Sequence, residues 1–404
     1  MRIENIKEEQ CTGCHACFNS CLRSAIRMVE NREGFLYPLV DHVLCVECGA
    51  CDRACPQITG LVNGNADADD CIKLEPKAYA AVCNSPDIRD RSSSGGIFFL
   101  IAEKIIKHGG VVYGAVFNKD WEVYHERADR LSHLEKMQGS KYVQSSIGEI
   151  YKDVKKNLMA KKKVLFSGTP CQCEGLYGYL GKQYDNLYVM DLICHGVPSP
   201  LVWRKYVQYI CKKKHKTIRC ISFRSKNLSW ERYLLEFVFT DLSKYSNDLD
   251  TDIYMRGFLR DLYLRKSCYE CPSRRIHRFS DITLADFWGI KSVMPSMYNE
   301  MGTSLVITQT KKGTDLLFNI NAKVEEVDFY KAVNENTAYF KSPVIHIMRD
   351  TFFKKLNGGE CLISLIRGCL REPISQRISK TMKNIKCKVK SLNLLFSMHN
   401  DKHK

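Results

Sequence analysis

Four cysteines fall within eleven residues in "CTGCHACFNSC", residues 11–21, and "CVECGACDRACP", residues 45–56, repeats the spacing. Each run reads C-x2-C-x2-C-x3-C. Thiolate sulfur is a soft ligand, so thiols crowded this closely form disulfides, bind zinc or hold an iron–sulfur cluster. A cubane cluster needs four thiolates converging on its corners. One tight loop can supply three, because spacing by three turns successive thiols inward, and the fourth must come from elsewhere.

Tetrahedral zinc would use two C-x2-C pairs and leave half of these thiols without a role. A disulfide framework needs an oxidising compartment. The opening "MRIENIKEEQ" has no apolar stretch of the secretory kind, so a cytoplasmic location with ligating cysteines is expected. In two-cluster bacterial ferredoxins, which share this spacing, the fourth cysteine of each run ligates the other cluster. By that pattern Cys11, Cys14, Cys17 and Cys55 hold one [4Fe-4S] cluster, and Cys45, Cys48, Cys51 and Cys21 hold a second. Pro56 follows the second run as the pattern expects, whereas Leu22 stands where the first run would have a proline. Gly13 and Gly49 suit the tight wrap. The segment has little apolar material of its own, so the clusters are expected to fold it and electron transfer to be its work.

Four more cysteines have unusual settings: Cys171 in "SGTPCQ", Cys194 in "LICHGVPS", and Cys268 with Cys271 in the arginine-flanked "RKSCYECPSRR". The preferred reading is a third cluster on these four, with zinc as the weaker option and small buried hydrophobes as the bland one. Cys173 is a spare candidate. Cys71, Cys83, Cys211, Cys220, Cys361, Cys369 and Cys387 are isolated and read as structural.

Three further stretches suit an organic cofactor. "RSSSGG" opens a helix with Ser93, Ser94, Gly95 and Gly96, and a helix N-terminus favours phosphate. It is not G-x-G-x-x-G, so a dinucleotide fold of Rossmann type is not supported. "MQGSKYVQSS" offers Ser140, Lys141, Tyr142 and Gln144, against a plain surface loop. "DITLADFWGI" offers Asp286 and Trp288, an aromatic face with polar groups at its edge, as a flavin ring needs. The alternative is a strand ending in a buried Trp. His195, beside Cys194, could donate a proton or tune a cluster, although a hydrogen-bonded structural histidine is the commoner case.

The elements that must position these residues alternate. "KAYAAVC", "VVYGAVF", "KKVLFSGTPC", "NLYVMDLICHGVPSP", "LLEFVFTD" and "SLVITQT" read as strands, with "GGIFFLIAEKIIKHGG" as a helix stopped by Gly109 and Gly110. A mixed α/β sheet with sites at its strand ends is expected. The expected organisation is a two-cluster ferredoxin-like module at residues 1–60, a linker at 61–76 marked by "GLVNGNADADD", a flavin domain in two parts at 77–160 and 161–345, and a basic helical tail at 346–404. The 404 residues allow two or three domains with a real core.

The motifs "SSSGG", "GSKYVQS", "SGTPCQ", "CHGVPS", "CYEC" and "DITLADFWG" occur in the order seen in the coenzyme F420 hydrogenase/dehydrogenase beta-subunit family, which this chain resembles over roughly residues 5–345. The resemblance implies a ferredoxin-like N-terminus fused to an FAD-binding domain with its own cubane cluster. It makes Cys171, Cys194, Cys268 and Cys271 the third-cluster ligands. It also makes the segments around Ser94, Gly95, Lys141 and Thr169 flavin contacts. The family passes electrons between iron–sulfur centres, FAD and a substrate or carrier, often a deazaflavin. Related members reduce chlorophyll-type rings, and bacterial members also occur among polysaccharide-biosynthesis genes. Two positions depart from the family pattern: Ala285 replaces a glycine, and Cys173 replaces an aliphatic residue.

The expected activity is therefore that of an oxidoreductase, with ferredoxin or another redox partner feeding the N-terminal clusters and FAD reducing a small molecule or deazaflavin. The alternative is an electron-transfer subunit of a larger complex with no substrate site of its own. The net charge of +16 also permits nucleic-acid binding, which is the least favoured reading. From Pro373 to Phe396 an apolar stripe through Ile374, Ile378, Met382 and Ile385 faces a lysine-rich side. It reads as an amphipathic helix, docked on the protein's own core or lying on an anionic inner-membrane surface.

Overall fold

The computed structural model describes residues 2–60 and 75–371. The expected linker up to residue 74, the helix proposed between Pro373 and Phe396, and Cys71 and Cys387 lie outside the described residues.

The N-terminal module is built from the two cysteine runs and the ribbon between them, β1 (Ile26–Glu30) and β2 (Leu36–Val40), which pair antiparallel. The runs fold alike. Gly13 and Glu47, between the first and second cysteines, have φ of 67° and 50°. His15 and Gly49, just after the second, have φ of 64° and 67°. Each run then enters a short helix, Ala16–Ser20 or Ala50–Ala54, that ends on its fourth cysteine in extended backbone. Among the described residues, the fully buried part of the module's own apolar cluster is Ile3, Cys17, Ile26 and Cys55, so two of the four are expected cluster ligands.

The remaining strands are β3 (Lys77–Cys83), β4 (Val111–Phe117), β5 (Val123–Ala128), β6 (Val164–Ser167), β7 (Leu187–Leu192), β8 (Ile218–Ser225), β9 (Leu234–Phe239), β10 (Lys244–Asp248), β11 (Ile282–Asp286), β12 (Ser304–Thr308) and β13 (Ala322–Val327). Eight of them form one sheet in the order β13-β3-β12-β11-β7-β6-β4-β5. The four in the middle, β11, β7, β6 and β4, run parallel, and antiparallel strands flank them. The parts expected on either side of residue 160 thus share a single sheet.

The helix Ile97–Lys107 buries Ile97, Leu100, Ile101 and Ile105, at helical spacing, and covers one face. The helices Ile150–Met159 and Pro170–Leu180 cover the other, joined there by Cys14, Ala16 and Ala54 of the module. A second core forms where the three-stranded sheet β10-β9-β8 meets the helix Pro200–Lys214 and the helices Arg349–Asn357 and Leu362–Cys369. Among the described residues no helix is long and apolar enough to cross a membrane.

Candidate redox centres

Parallel strands deliver the chain to one edge of the sheet, where the next loop or helix N-terminus is free to hold a ligand. Cys171 follows β6. The expected turn there is brief: Thr169 and Gln172 form a reciprocal cap and Pro170 occupies the first turn, so Cys171 sits at the start of an eleven-residue helix. The Thr169 hydroxyl lies 3.2 Å from its thiol. Cys194 follows β7, and Cys268 ends a short 3-10 turn, Lys266–Cys268. These three and Cys271 line one cavity, together with Arg265, Arg274 and Arg278.

The thiols declare their neighbours electrostatically. Burial, then the charge of Cys271, pushes Cys194 up to about 11. Burial and then Cys194 push Cys268 up to about 12. Cys171 is raised by burial and then by Cys271, Cys194 and Cys268. In the module, burial and then Cys55 push Cys14 up to about 12, and Cys17 is raised by burial and by Cys14, Cys11 and Cys55. Cys51 is pushed up to about 11, chiefly by burial and Asp52 and also by Cys21. Fourth cysteines are therefore electrostatic neighbours of the other run. Burial and mutual repulsion hold these thiols in the protonated form, so that becoming thiolates there is costly unless cationic metal compensates the charge. Among the described residues no group of three or more His, Cys, Asp or Glu side chains could hold a single metal ion.

The sets differ in exposure. Cys11, Cys14, Cys17 and Cys55 are buried; Cys21, Cys45 and Cys51 are half-buried and Cys48 is exposed. Leu22 beside Cys21, Leu44 and Val46 on either side of Cys45, and Val43 are all exposed apolar side chains. The buried set faces the large domain. A Cβ on Gly175 would come within 2.8 Å of the Cys14 thiol, and one on Gly178 within 2.3 Å of the Ala54 carbonyl. Asn19 donates to the Gly148 carbonyl at 2.9 Å, and Arg349 grips Glu33 through both carboxylate oxygens.

The other expected contacts divide into two groups. Ser93, Ser140, Tyr142, Asp286 and Trp288 gather round Arg224, a residue with no distinguishing motif in the sequence. Arg224 pairs with Asp286 at 2.9 Å, reaches the Tyr142 hydroxyl and the Ser93 carbonyl at 3.3 Å, and lies 5.5 Å from the Trp288 ring centroid. Trp288 stacks on Trp230, whose indole donates to Asp286. Ser93 and Ser140 bond to each other. Ser94 donates to the Thr303 carbonyl. Gly95 lies against β3 and β12, where a Cβ would meet the Ala81 carbonyl at 2.5 Å, and Gly96, at φ 86°, is the helix N-cap. Lys141 reaches the Met137, Gln138 and Gly139 carbonyls, and desolvation pushes it down to about 7. Among the described residues, the buried Arg224 Nε and Gln138 Oε1 near this group have no partner, so the cluster fits a further polar ligand.

Gln144 and Thr169 stand with the cysteines instead. Gln144 donates to the Thr12 carbonyl and accepts from Arg265. His195 bonds Asp261 at 2.6 Å and packs edge-on to Phe258, the arrangement of a structural histidine. Cys173 is buried within the core behind the sheet. Arg265, Arg274 and Arg278 had only one signal in the sequence, their closeness to the C-x2-C pair.

Residues 161–331 match the family described as the C terminus of the coenzyme F420 hydrogenase/dehydrogenase beta subunit. Residues 10–58 match the 4Fe-4S dicluster domain. Over residues 161–331, under half of its length, the chain is similar to the coenzyme F420 hydrogenase/dehydrogenase beta subunit. The chain is an iron–sulfur electron-transfer protein related to that beta subunit through these two domains. No curated protein matches it. Among solved structures, it is similar to a chain from the F420-reducing [NiFe] hydrogenase complex of Methanosarcina barkeri. The two are 15% identical with a TM-score of 0.43, over 73% of this chain and 90% of that one.

Proposed function

We propose that this protein is an iron–sulfur flavoprotein oxidoreductase that takes electrons from a ferredoxin or another partner protein and delivers them to a small molecule or deazaflavin-type carrier. Cys45, Cys48, Cys51 and Cys21 would hold the outer cubane, Cys11, Cys14, Cys17 and Cys55 the inner one, and Cys171, Cys194, Cys268 and Cys271 the third. FAD would lie at the Arg224 cluster. The bound clusters supply one-electron chemistry and flavin supplies the exchange between one electron and two. The chain's own residues do the rest. Exposed Cys48 and its apolar rim would present the outer set to a partner, and burial of Cys11, Cys14, Cys17 and Cys55 would exclude water from the inner set. Arg224, held by Asp286, offers a fixed positive charge with a free Nε.

One observation carries the reading: Cys171, Cys194, Cys268 and Cys271, from three separate stretches of the chain, line one cavity with Arg265, which also donates to the thiol of Cys11. The test is anaerobic purification with iron, sulfide and flavin quantification. About twelve irons per chain are expected, from about four per cluster, with roughly one FAD. Colourless protein without sulfide would end the proposal.

A second reading is favoured by the closure of the Arg224 group on itself. Ser93 bonds Ser140, and three carbonyls occupy the Lys141 ammonium. That suits an electron-transfer subunit without its own substrate site. Turnover of a small molecule by the isolated, dithionite-reduced protein would exclude it. Any tie to polysaccharide biosynthesis rests on the family resemblance alone.

A further inference from the structure

Among the described residues, four arginines are buried to 4% exposure or less: Arg224, Arg265, Arg278 and Arg349. Three are paired with carboxylates, Arg224 with Asp286, Arg278 with Asp191 and Arg349 with Glu33. Arg265, at 0% exposure, makes no ion pair with a carboxylate among the described residues. Its Nε donates to the Cys11 carbonyl at 2.7 Å, and one terminal nitrogen donates to the Cys11 thiol at 3.5 Å and the Leu36 carbonyl at 3.0 Å. The other donates to the Gln144 amide oxygen at 3.1 Å. The guanidinium lies 4.1 Å from the Tyr37 ring centroid. The same residue lines the cavity of Cys171, Cys194, Cys268 and Cys271.

A guanidinium does not lose its proton in a protein. Buried without a carboxylate, it needs negative charge from another source. Cysteines ligating as thiolates on its two sides would be that source: Cys11, which it touches, and the four cysteines whose cavity it lines. We propose that Arg265 is the shared counter-charge of the inner and third cysteine sets, raising the reduction potential of both and leaving the outer set unaffected. The proposal rests on the reading that these sets hold clusters. Its physics is general: hydrogen bonds to cluster sulfurs and nearby positive charge stabilise the more negative, reduced state.

The structure supplies a second handle. Gln144 faces Arg265 with a neutral oxygen, so Gln144→Glu would give the guanidinium a carboxylate partner without removing it. The experiment is an EPR-monitored redox titration of the full, anaerobically prepared protein, alongside Arg265→Gln, Arg265→Lys and Gln144→Glu. The outer signal is identified by its change in Cys48→Ser. In Arg265→Gln, two of three signals should move to lower potential. The expected size is at least tenfold in the reduced-to-oxidised ratio at fixed potential, about 59 mV for one electron. Gln144→Glu should move the same two signals in the same direction, and Arg265→Lys should restore part of the shift. If Arg265→Gln does not fold or load iron, Gln144→Glu decides. Three unmoved signals, or three moved equally, at wild-type iron content would overturn the proposal. Wild-type protein lacking the signals altogether would instead remove the cluster reading beneath it.

Discussion

Arg265 and Cys11, 254 positions apart in the chain, are joined by two hydrogen bonds from one buried guanidinium, to the carbonyl at 2.7 Å and to the thiol at 3.5 Å. This contact ties the N-terminal module to the segment carrying Cys268 and Cys271. It makes the module part of the large domain's interior on that side.

Gly13 lies in the path of that guanidinium. A Cβ there would stand 2.8 Å from the Arg265 terminal nitrogen, whereas one on Gly49 would meet only the end of flexible Arg53, at 3.1 Å. Both glycines have φ 67°, so alanine at either carries a backbone cost of about 1–2 kcal/mol. Gly13→Ala should also displace Arg265 and shift the inner-set EPR signal. Gly49→Ala should lower the melting temperature by a similar amount yet leave that signal in place.

Gly178 is where the module meets the helix Pro170–Leu180. Alanine there would bring a methyl within 2.3 Å of the Ala54 carbonyl, and the backbones must part. Gly178→Ala should loosen the module, seen as faster limited proteolysis between residues 1 and 60. Gly368, also helical, has no neighbour within 4 Å of such a methyl. Gly368→Ala should be neutral or stabilising by up to about 1 kcal/mol. Equal protease sensitivity in the two variants would contradict this account of the interface.

Exposure should set the order in which iron is lost. The outer set includes the exposed Cys48, while all four cysteines of the inner set are buried. Treatment with a chelator under mild oxidation should release about four irons first, in line with four per cluster. Cys48→Ser should abolish that early phase alone. Single-phase release of all the iron would argue against separate outer and inner sites.

Lys141 carries a stability cost that depends on pH. Desolvation pushes its ammonium from 10.5 down to about 7. Between those values the unfolded chain holds a proton that the folded chain has released. Unfolding free energy therefore gains from this residue as pH rises from 7 towards 10.5, and the contribution is flat below 7. Lys141→Met removes it. The stability difference between variant and wild type, from denaturant unfolding at about pH 7 and about pH 9.5, should narrow at the higher pH. Parallel pH dependences would show that Lys141 is not desolvated in solution.

Asp286 holds Arg224 in place at the flavin candidate site. Removing one member of a buried ion pair leaves a charge uncompensated, at a cost of about 3–5 kcal/mol. Asp286→Asn should lower stability on that scale and reduce copurifying flavin. Full flavin retention at unchanged stability would place the flavin elsewhere.

The chemistry could be read from the chain alone, because ligand spacing is local. A C-x2-C-x2-C-x3-C run holds its thiols within one loop and its short helix, and the two runs share the same positive-φ positions. The strands were legible for the same reason: "VVYGAVF" and "SLVITQT" are short apolar runs, observed as Val111–Phe117 and Ser304–Thr308. Which charges meet was settled by packing. Burial and distance set the strength of electrostatics, and both depend on elements remote in the chain. Nothing local to "RKSCYEC" distinguishes Arg265, without a carboxylate beside Cys11, from Arg278, paired with Asp191. Nothing local to "SFRSKN" marks Arg224 as the centre on which Ser93, Tyr142 and Asp286 converge. The fold also separated Gln144 and Thr169 from the other flavin candidates and set them beside the cysteines, since strand order and not sequence order fixes which loops share an edge.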